Sequence, residues 1–230
     1  MADVTPLVLL PGMNCTAELW ADCGLDDAIM PSLDKESVDA QVDALLRELP
    51  TVFVLGGLSL GAIVAMALVA RAPERVAGLC LVSTNARAPT TAQRQSWRDW
   101  IRRMEAGESP RALQKSIVTA LLSPEAVEAR PDIVERALSM GDGMGQETLR
   151  AQLRMQATRV DLRPGLREVN VPTLVVSGAA DAICPPEFHT EIAGEVPNAR
   201  VISLAGGHLL PLEQPATFGV LVRAWRERWL

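Results

Sequence analysis

The sequence predicts an α/β fold, a mostly parallel, doubly wound sheet of about six strands with helices on both faces and a block of helices inserted between two strands. Three observations predict it. Short aliphatic and β-branched runs alternate with segments whose apolar residues recur at helical spacing. The runs are apolar at successive positions, the pattern of strands buried on both faces of a parallel sheet. One interval, 87–168, breaks the alternation and reads as Arg-rich amphipathic helix throughout. Sheets of this kind place their ligand sites in the loops beyond the carboxyl ends of the strands, so the chemistry is expected there.

In chain order, Leu7-Val-Leu-Leu10 is the first strand, stopped by Pro11-Gly12. Val38, Val42, Leu45, Leu46 and Leu49 then recur on one helical face, with Asp39 and Asp43 opposite and Ser37 placed to cap the N-terminus. Val52-Phe-Val-Leu55 is the second strand, Leu60 to Arg71 an almost wholly apolar helix, and Gly78-Leu-Cys-Leu-Val-Ser83 the third strand. The uncharged stretch Leu49 to Ala70 is long enough for a membrane span, but Gly56, Gly57, Ser59 and Gly61 divide it into a strand and a helix of ordinary length. After the inserted interval come the strand Pro172-Thr-Leu-Val-Val-Ser177, a helix from about Pro186 to Gly194, and the strand Arg200-Val-Ile-Ser-Leu204. The last helix follows Pro215 and buries Phe218, Leu221, Val222, Trp225 and Trp229. The predicted organisation is a core of residues 1–86 and 169–230 carrying a helical cap, 87–168.

Composition narrows the function. With 230 residues and 48% hydrophobic residues the chain builds a proper core, and disorder is excluded. A net charge of −6 argues against nucleic acid or an anionic membrane as partner. The interval 87–168 carries a net +3 and the remainder −9, so two surfaces of opposite sign are expected. Cys15, Cys23, Cys80 and Cys184 form no CxxC pair, and only His189 and His208 could assist them, so no metal cluster is expected. The acidic start Met1-Ala-Asp gives no support for export, and reduced thiols fit a cytoplasmic location.

Between the second strand and its apolar helix lies Gly57-Leu58-Ser59-Leu60-Gly61, a G-x-S-x-G in the strand-turn-helix setting of a nucleophile elbow. A serine hydroxyl needs a base. His208, in the loop Ala205-Gly-Gly-His-Leu-Leu-Pro211 after the last strand, is the better candidate; His189, flanked inside a helix by Glu187, Phe188 and Glu191, reads as partly exposed or capping. The imidazole needs an acid to hold its tautomer. Asp181 follows the strand ending at Ser177, while the alternative loop Thr84-Asn-Ala-Arg87 has no carboxylate; Glu187 is the fallback. Two N–H donors for an oxyanion are expected from Leu60 and from Met13, with Asn14 adding a side-chain donor. Cys184 lies beside the acid without an elbow and is not a nucleophile candidate.

Ser59, Asp181 and His208, in that order at strand ends, resemble the α/β-hydrolase superfamily over nearly the whole chain. Arg71-Ala-Pro-Glu-Arg-Val76 and Gly207-His-Leu-Leu-Pro-Leu-Glu-Gln-Pro215 are similar to stretches of its small cap-bearing members. The resemblance implies a cofactor-free serine hydrolase of esters or thioesters acting through an acyl-Ser59 intermediate. The sequence departs from the family pattern in having Pro11-Gly12 where His-Gly is frequent, Leu58 before the nucleophile, and no room before Leu7 for the initial hairpin strands. The expected partner is a small-molecule acyl substrate, free or carrier-bound, in a pocket lined by Leu58, Asn14, Trp97, Trp100 and Met104, with Met140, Met144 and Met155 as further candidates for its apolar wall. Met140-Gly-Asp-Gly-Met-Gly145 reads as a hinge or a plain turn. Two other functions stay open on the same residues: a lyase in which His208 drives elimination or carbon–carbon cleavage with Ser59 only hydrogen bonding, and a ligand sensor without turnover.

Overall fold

The computed structural model describes residues 5–229. Five strands, β1 (Leu7–Leu10), β2 (Phe53–Leu58), β3 (Val76–Val82), β4 (Thr173–Gly178) and β5 (Ala199–Leu204), form one sheet in that spatial order. All neighbouring pairs run parallel. Where about six strands are expected, the described residues form five, with one isolated parallel bridge, Ile29 to Val8, on the outer side of β1. The segment around Ile29 offers no apolar run, since Asp26 and Asp27 precede it, and Pro31 two residues on has no N–H to give.

Twelve helices accompany the sheet among the described residues: α1 (Val38–Glu48), α2 (Leu60–Arg71), α3 (Thr91–Glu105), α4 (Pro110–Lys115), α5 (Val118–Leu121), α6 (Pro124–Ala129), α7 (Pro131–Met144), α8 (Gln146–Ala157), α9 (Arg163–Leu166), α10 (Pro186–Glu195), α11 (Leu210–Glu213) and α12 (Pro215–Trp229). The chain leaves β1 toward the Ile29 bridge, returns through α1 to β2 on the other side, and then advances strand by strand to β5. Crossovers of one hand advancing in one direction put their helices on one face. Accordingly α1, α2 and α10 cover the face formed by Val8, Leu10, Phe53, Leu55, Leu79, Leu81 and Val175. The alternate residues Leu7, Leu9, Val54, Cys80, Val82, Leu174 and Val176 point to the opposite face, which α12 and the residues around Trp20 cover. A side-chain period of two thus divides each strand between two apolar layers.

Local chemistry sets the helix boundaries. Ser37 caps α1 through a bond from the Ala40 N–H, as predicted. Arg75 donates to the carbonyls of Leu46, Leu49 and Pro50, at 3.2, 3.1 and 2.7 Å, and so satisfies acceptors that the end of α1 leaves open. In the inserted region α3 begins with a Thr90–Gln93 capping box. Both α4 and α6 begin with a capping serine followed by proline, Ser109-Pro110 and Ser123-Pro124. The stretch Met140 to Gly145 is not a separate hinge: α7 continues through Met144, and the break falls at Gly145, whose φ is 75°.

Trp20 stacks on Phe218 with ring centroids 5.7 Å apart, joining α12 to the loop after β1, and both side chains are fully buried. Phe218→Ala is expected to cost ~3–5 kcal/mol of unfolding free energy, the usual range for removing a buried aromatic ring. Urea denaturation measures it; a loss under ~1 kcal/mol would mean that α12 is not fastened by this stack.

Candidate active site

The loops beyond β1, β2 and β3 each contain a non-glycine residue in the left-handed region: Asn14 (φ 57°), Ser59 (φ 52°) and Ser83 (φ 46°). Such conformations cost energy and persist only where surrounding structure enforces them. At Ser59 the cause is visible. β2 runs straight into the turn and α2 begins at Leu60, while a Cβ on Gly57 would meet Gly61 at 2.4 Å and a Cβ on Gly61 would meet the Leu10 carbonyl at 2.2 Å. Only glycine fits at either position. The Ser59 N–H donates to the Val82 carbonyl at 2.9 Å, and the Ser59 carbonyl accepts from Thr84 Oγ1 at 3.1 Å, so both ends of the residue are tied to β3 and its loop.

Ser59 and His208 face one cavity of about 250 Å³ at the carboxyl edge of the sheet. Asp181 lies behind His208. Its Oδ2 is 2.9 Å and its Oδ1 3.1 Å from His208 Nδ1, and Oδ1 also accepts the N–H groups of Ile183 and Cys184 at 2.9 and 2.8 Å. Both side chains are almost fully buried. Burial pushes the Asp181 carboxyl up, but the positive charge available on His208 and the hydrogen bonds from His208 and the two backbone amides outweigh it and hold the group below the usual carboxylate range. With Nδ1 donating to a carboxylate, Nε2 is the nitrogen left to take a proton.

The His208 loop is held by Glu213, a residue to which the sequence alone assigns no role. Its Oε1 accepts the Gly207 N–H at 2.8 Å and the Ser123 N–H at 3.1 Å, and its Oε2 accepts the Ser123 hydroxyl at 2.5 Å. One carboxylate therefore ties this loop to the start of α6.

Leu58, Met13, Trp97 and Trp100 line the cavity. Leu60 is the first residue of α2, so its N–H has no acceptor within the helix. Asn14 and Met104 take other places. The Asn14 side chain is fully buried and donates to the Pro110 carbonyl and to Gln114 Oε1 at 3.0 and 2.9 Å, while its backbone N–H donates to Gln152 Oε1 at 2.8 Å. It fastens the loop after β1 to α4 and α8. Met104 packs among Trp100, Leu113, Leu149 and Leu153 within the inserted helices. Met140, Met144 and Met155 likewise lie off the cavity wall. Helical spacing identifies a stripe of apolar residues but not which neighbour it packs against.

His189 is fully buried, not partly exposed. Its Nε2 accepts the Thr84 N–H at 3.0 Å and its Nδ1 faces the Pro185 carbonyl at 3.3 Å, which fixes the proton on Nδ1. Burial holds the ring below the usual histidine range despite the nearby Asp181 carboxylate and the Pro185 carbonyl. His189 thus anchors Thr84, and Thr84 anchors Ser59. Neither link was legible, because the partners are 105 and 25 residues apart. Glu187 lies exposed in the first turn of α10 and does not reach His208. Cys15 and Cys184 line the cavity, but burial pushes both thiols up to about 12, which leaves them protonated and unreactive.

Comparison with known proteins gives consistent findings. The alpha/beta hydrolase family model matches residues 7–219. A pimeloyl-[acyl-carrier protein] methyl ester esterase from Aromatoleum aromaticum is 30% identical over 207 residues, covering 81% of this chain and 78% of that protein. A 3-oxoadipate enol-lactonase from Acinetobacter baylyi is 26% identical over 176 residues; the match covers 75% of this chain but 63% of the enol-lactonase. A thermophilic esterase from Thermogutta terrifontis, solved with malate bound, superposes with a TM-score of 0.89 at 26% identity, covering 97% of this chain and 90% of the esterase.

Two outcomes follow from this geometry. Gly61→Ala is expected to cost more than ~3 kcal/mol or to prevent folding, whereas Gly194→Ala, in α10 with open space around it, is neutral or mildly stabilising; equal denaturation midpoints would refute the close approach at Leu10. Because the folded protein holds His189 neutral, stability is full above pH ~6.5, the ordinary histidine value, and falls as pH drops below it, with a slope of up to about 1.4 kcal/mol per pH unit for one proton. His189→Gln should flatten the profile below pH ~6.5, as read by urea titrations at each pH.

Proposed function

The chain belongs to the alpha/beta hydrolase family, and on that footing we propose that it hydrolyses a small or medium acyl ester or thioester, free or carrier-bound, through an acyl-Ser59 intermediate. The observation that carries the reading is a strained Ser59 on the wall of the same cavity as His208, whose Nδ1 is engaged by the buried Asp181. Methyl ester and lactone cleavage, the reactions in the names of the related proteins, share this acyl-transfer chemistry.

In the proposed reaction Ser59 Oγ attacks the acyl carbon as its proton passes to His208 Nε2. Asp181 stabilises the imidazolium and keeps its orientation. The oxyanion faces the backbone N–H groups of Leu60 and Met13, the first reinforced by the start of α2. Collapse expels the alkoxide or thiolate, which takes the proton from His208. Water then enters, gives a proton to His208 and attacks the acyl-enzyme, and Ser59 leaves with that proton restored. The helices of residues 87–168 act as the cap: Trp97 and Trp100 of α3 give the acyl group an apolar wall.

Intact-mass measurement after exposure to a fluorophosphonate tests the nucleophile. One phosphonyl group is expected on the native chain and none on Ser59→Ala, with labelling and ester turnover of His208→Ala and Asp181→Asn each reduced at least ~10³-fold. No labelling of the native chain would sink the proposal, and labelling without turnover of any ester or thioester would favour the lyase.

A further inference from the structure

Arg159 is the one formally charged side chain lining the cavity among the described residues, and it has no acidic partner there. It follows α8 and is 5% exposed. Nη1 donates to Gln156 Oε1 at 3.0 Å, and Nη2 donates to Asn85 Oδ1 and to the Arg87 carbonyl, both at 2.9 Å. All three acceptors are neutral. The Nε–H has no partner. Asp161, two residues away, is bound by Arg163 through Nε at 2.9 Å and Nη2 at 2.5 Å, and Glu191 is shared by Arg87 and Arg163. The acids around this corner are therefore already engaged by other arginines.

A buried cation without a counter-charge is costly, and natural proteins seldom retain one without compensation. Amide and carbonyl oxygens solvate the guanidinium in part but leave its charge unmatched. Desolvation, with the neighbouring Arg94 adding to it, pulls the group down to about 10, so Arg159 remains a cation at neutral pH. Three donated bonds out of five N–H groups fix the guanidinium in place and leave donors free. A fixed, desolvated guanidinium recognises a carboxylate strongly because little entropy is left to lose.

We propose that the substrate's acyl chain carries a free carboxylate, distinct from the ester under attack, which pairs with Arg159 and sets the distance from the charged end of the cavity to Ser59. The inference deepens the ester-hydrolase reading and rests on it. The substrate class is then a monoester or monothioester of a short dicarboxylic acid. Asn85 is a positioning residue in this scheme, since its Oδ1 accepts from Arg159 and also from the Arg87 N–H at 3.1 Å, joining the cation to the loop after β3.

Hydrolysis of the monomethyl esters of four- to six-carbon diacids, set against methyl esters of unbranched fatty acids of equal length and against the corresponding ester-amides, tests it in the native chain, Arg159→Lys and Arg159→Gln. The native chain is expected to favour one carboxylate-bearing ester by at least tenfold in kcat/KM, chiefly through KM. Arg159→Gln lowers that ratio at least tenfold and Arg159→Lys restores part of it. A native ratio near one, or a ratio unchanged in Arg159→Gln, would overturn the proposal while leaving ester hydrolysis intact. A second measurement needs no turnover: calorimetric titration of glutarate into Ser59→Ala, with and without Arg159→Gln, is expected to show binding weakened at least tenfold by loss of the cation. Equal binding in the two proteins overturns the proposal. If no ester is cleaved by any of the proteins, the hydrolase reading fails and the glutarate titration alone decides the anion site. Should Arg159→Gln not fold, the native preference and Arg159→Lys carry the decision.

Discussion

The contact on which the architecture turns is the approach of the first turn of α2 to the end of β1. A backbone can cross another at that distance only where no Cβ intervenes, and the chain meets the condition with Gly57 and Gly61 on either side of Ser59. The crossing forces Ser59 into an unfavourable backbone region and ties it to β3 through the Val82 carbonyl and Thr84. Three neighbouring strands thereby share one corner. Strain stored at a site of this kind is held by the packing around it, here the nearly wholly buried α2 and the central strands.

Much of this was legible in the sequence because it is encoded locally. Strands apolar on both faces, a G-x-S-x-G between strand and helix, a capping Ser37, and an Asp and a His in loops after later strands each declare themselves within a few residues. The positions of Ser59, Asp181 and His208 beyond the ends of β2, β4 and β5 follow once the alternation is read as a parallel sheet. What the sequence concealed is long-range. Asn14 looked like a donor to ligand but spends its amide on Pro110 and Gln114, and Met104 shares a helical stripe with Trp100 yet faces the other inserted helices. His189, flanked by Glu187, Phe188 and Glu191, reads from the sequence as partly exposed or capping, whereas the α10 face that carries it is turned to the sheet. Arg159 was one arginine among many; only the fold reveals that the acids near it are occupied elsewhere.

The two histidines illustrate how environment divides labour between identical side chains. Both are buried and both carry the proton on Nδ1, assigned from the acceptors each faces. One donates to a carboxylate, which can stabilise a second proton; the other donates to a peptide carbonyl, which stabilises it less, and uses Nε2 to hold a backbone amide. In the proposed reaction His208 transfers the proton, while His189 holds a loop still.

The ties at Asn14 make the loop after β1 common property of the sheet and the inserted helices. Its backbone and side chain give three buried hydrogen bonds to α4 and α8 residues and the start of α4, next to Met13, whose side of the loop forms cavity wall. Any excursion of those helices away from the sheet must either break these bonds or drag the Met13 peptide with it. In the proposed reaction, then, admission of substrate and assembly of the oxyanion donors are mutually exclusive states: the door and the catalytic apparatus share a part, and a bound ester meets complete machinery only once it is enclosed.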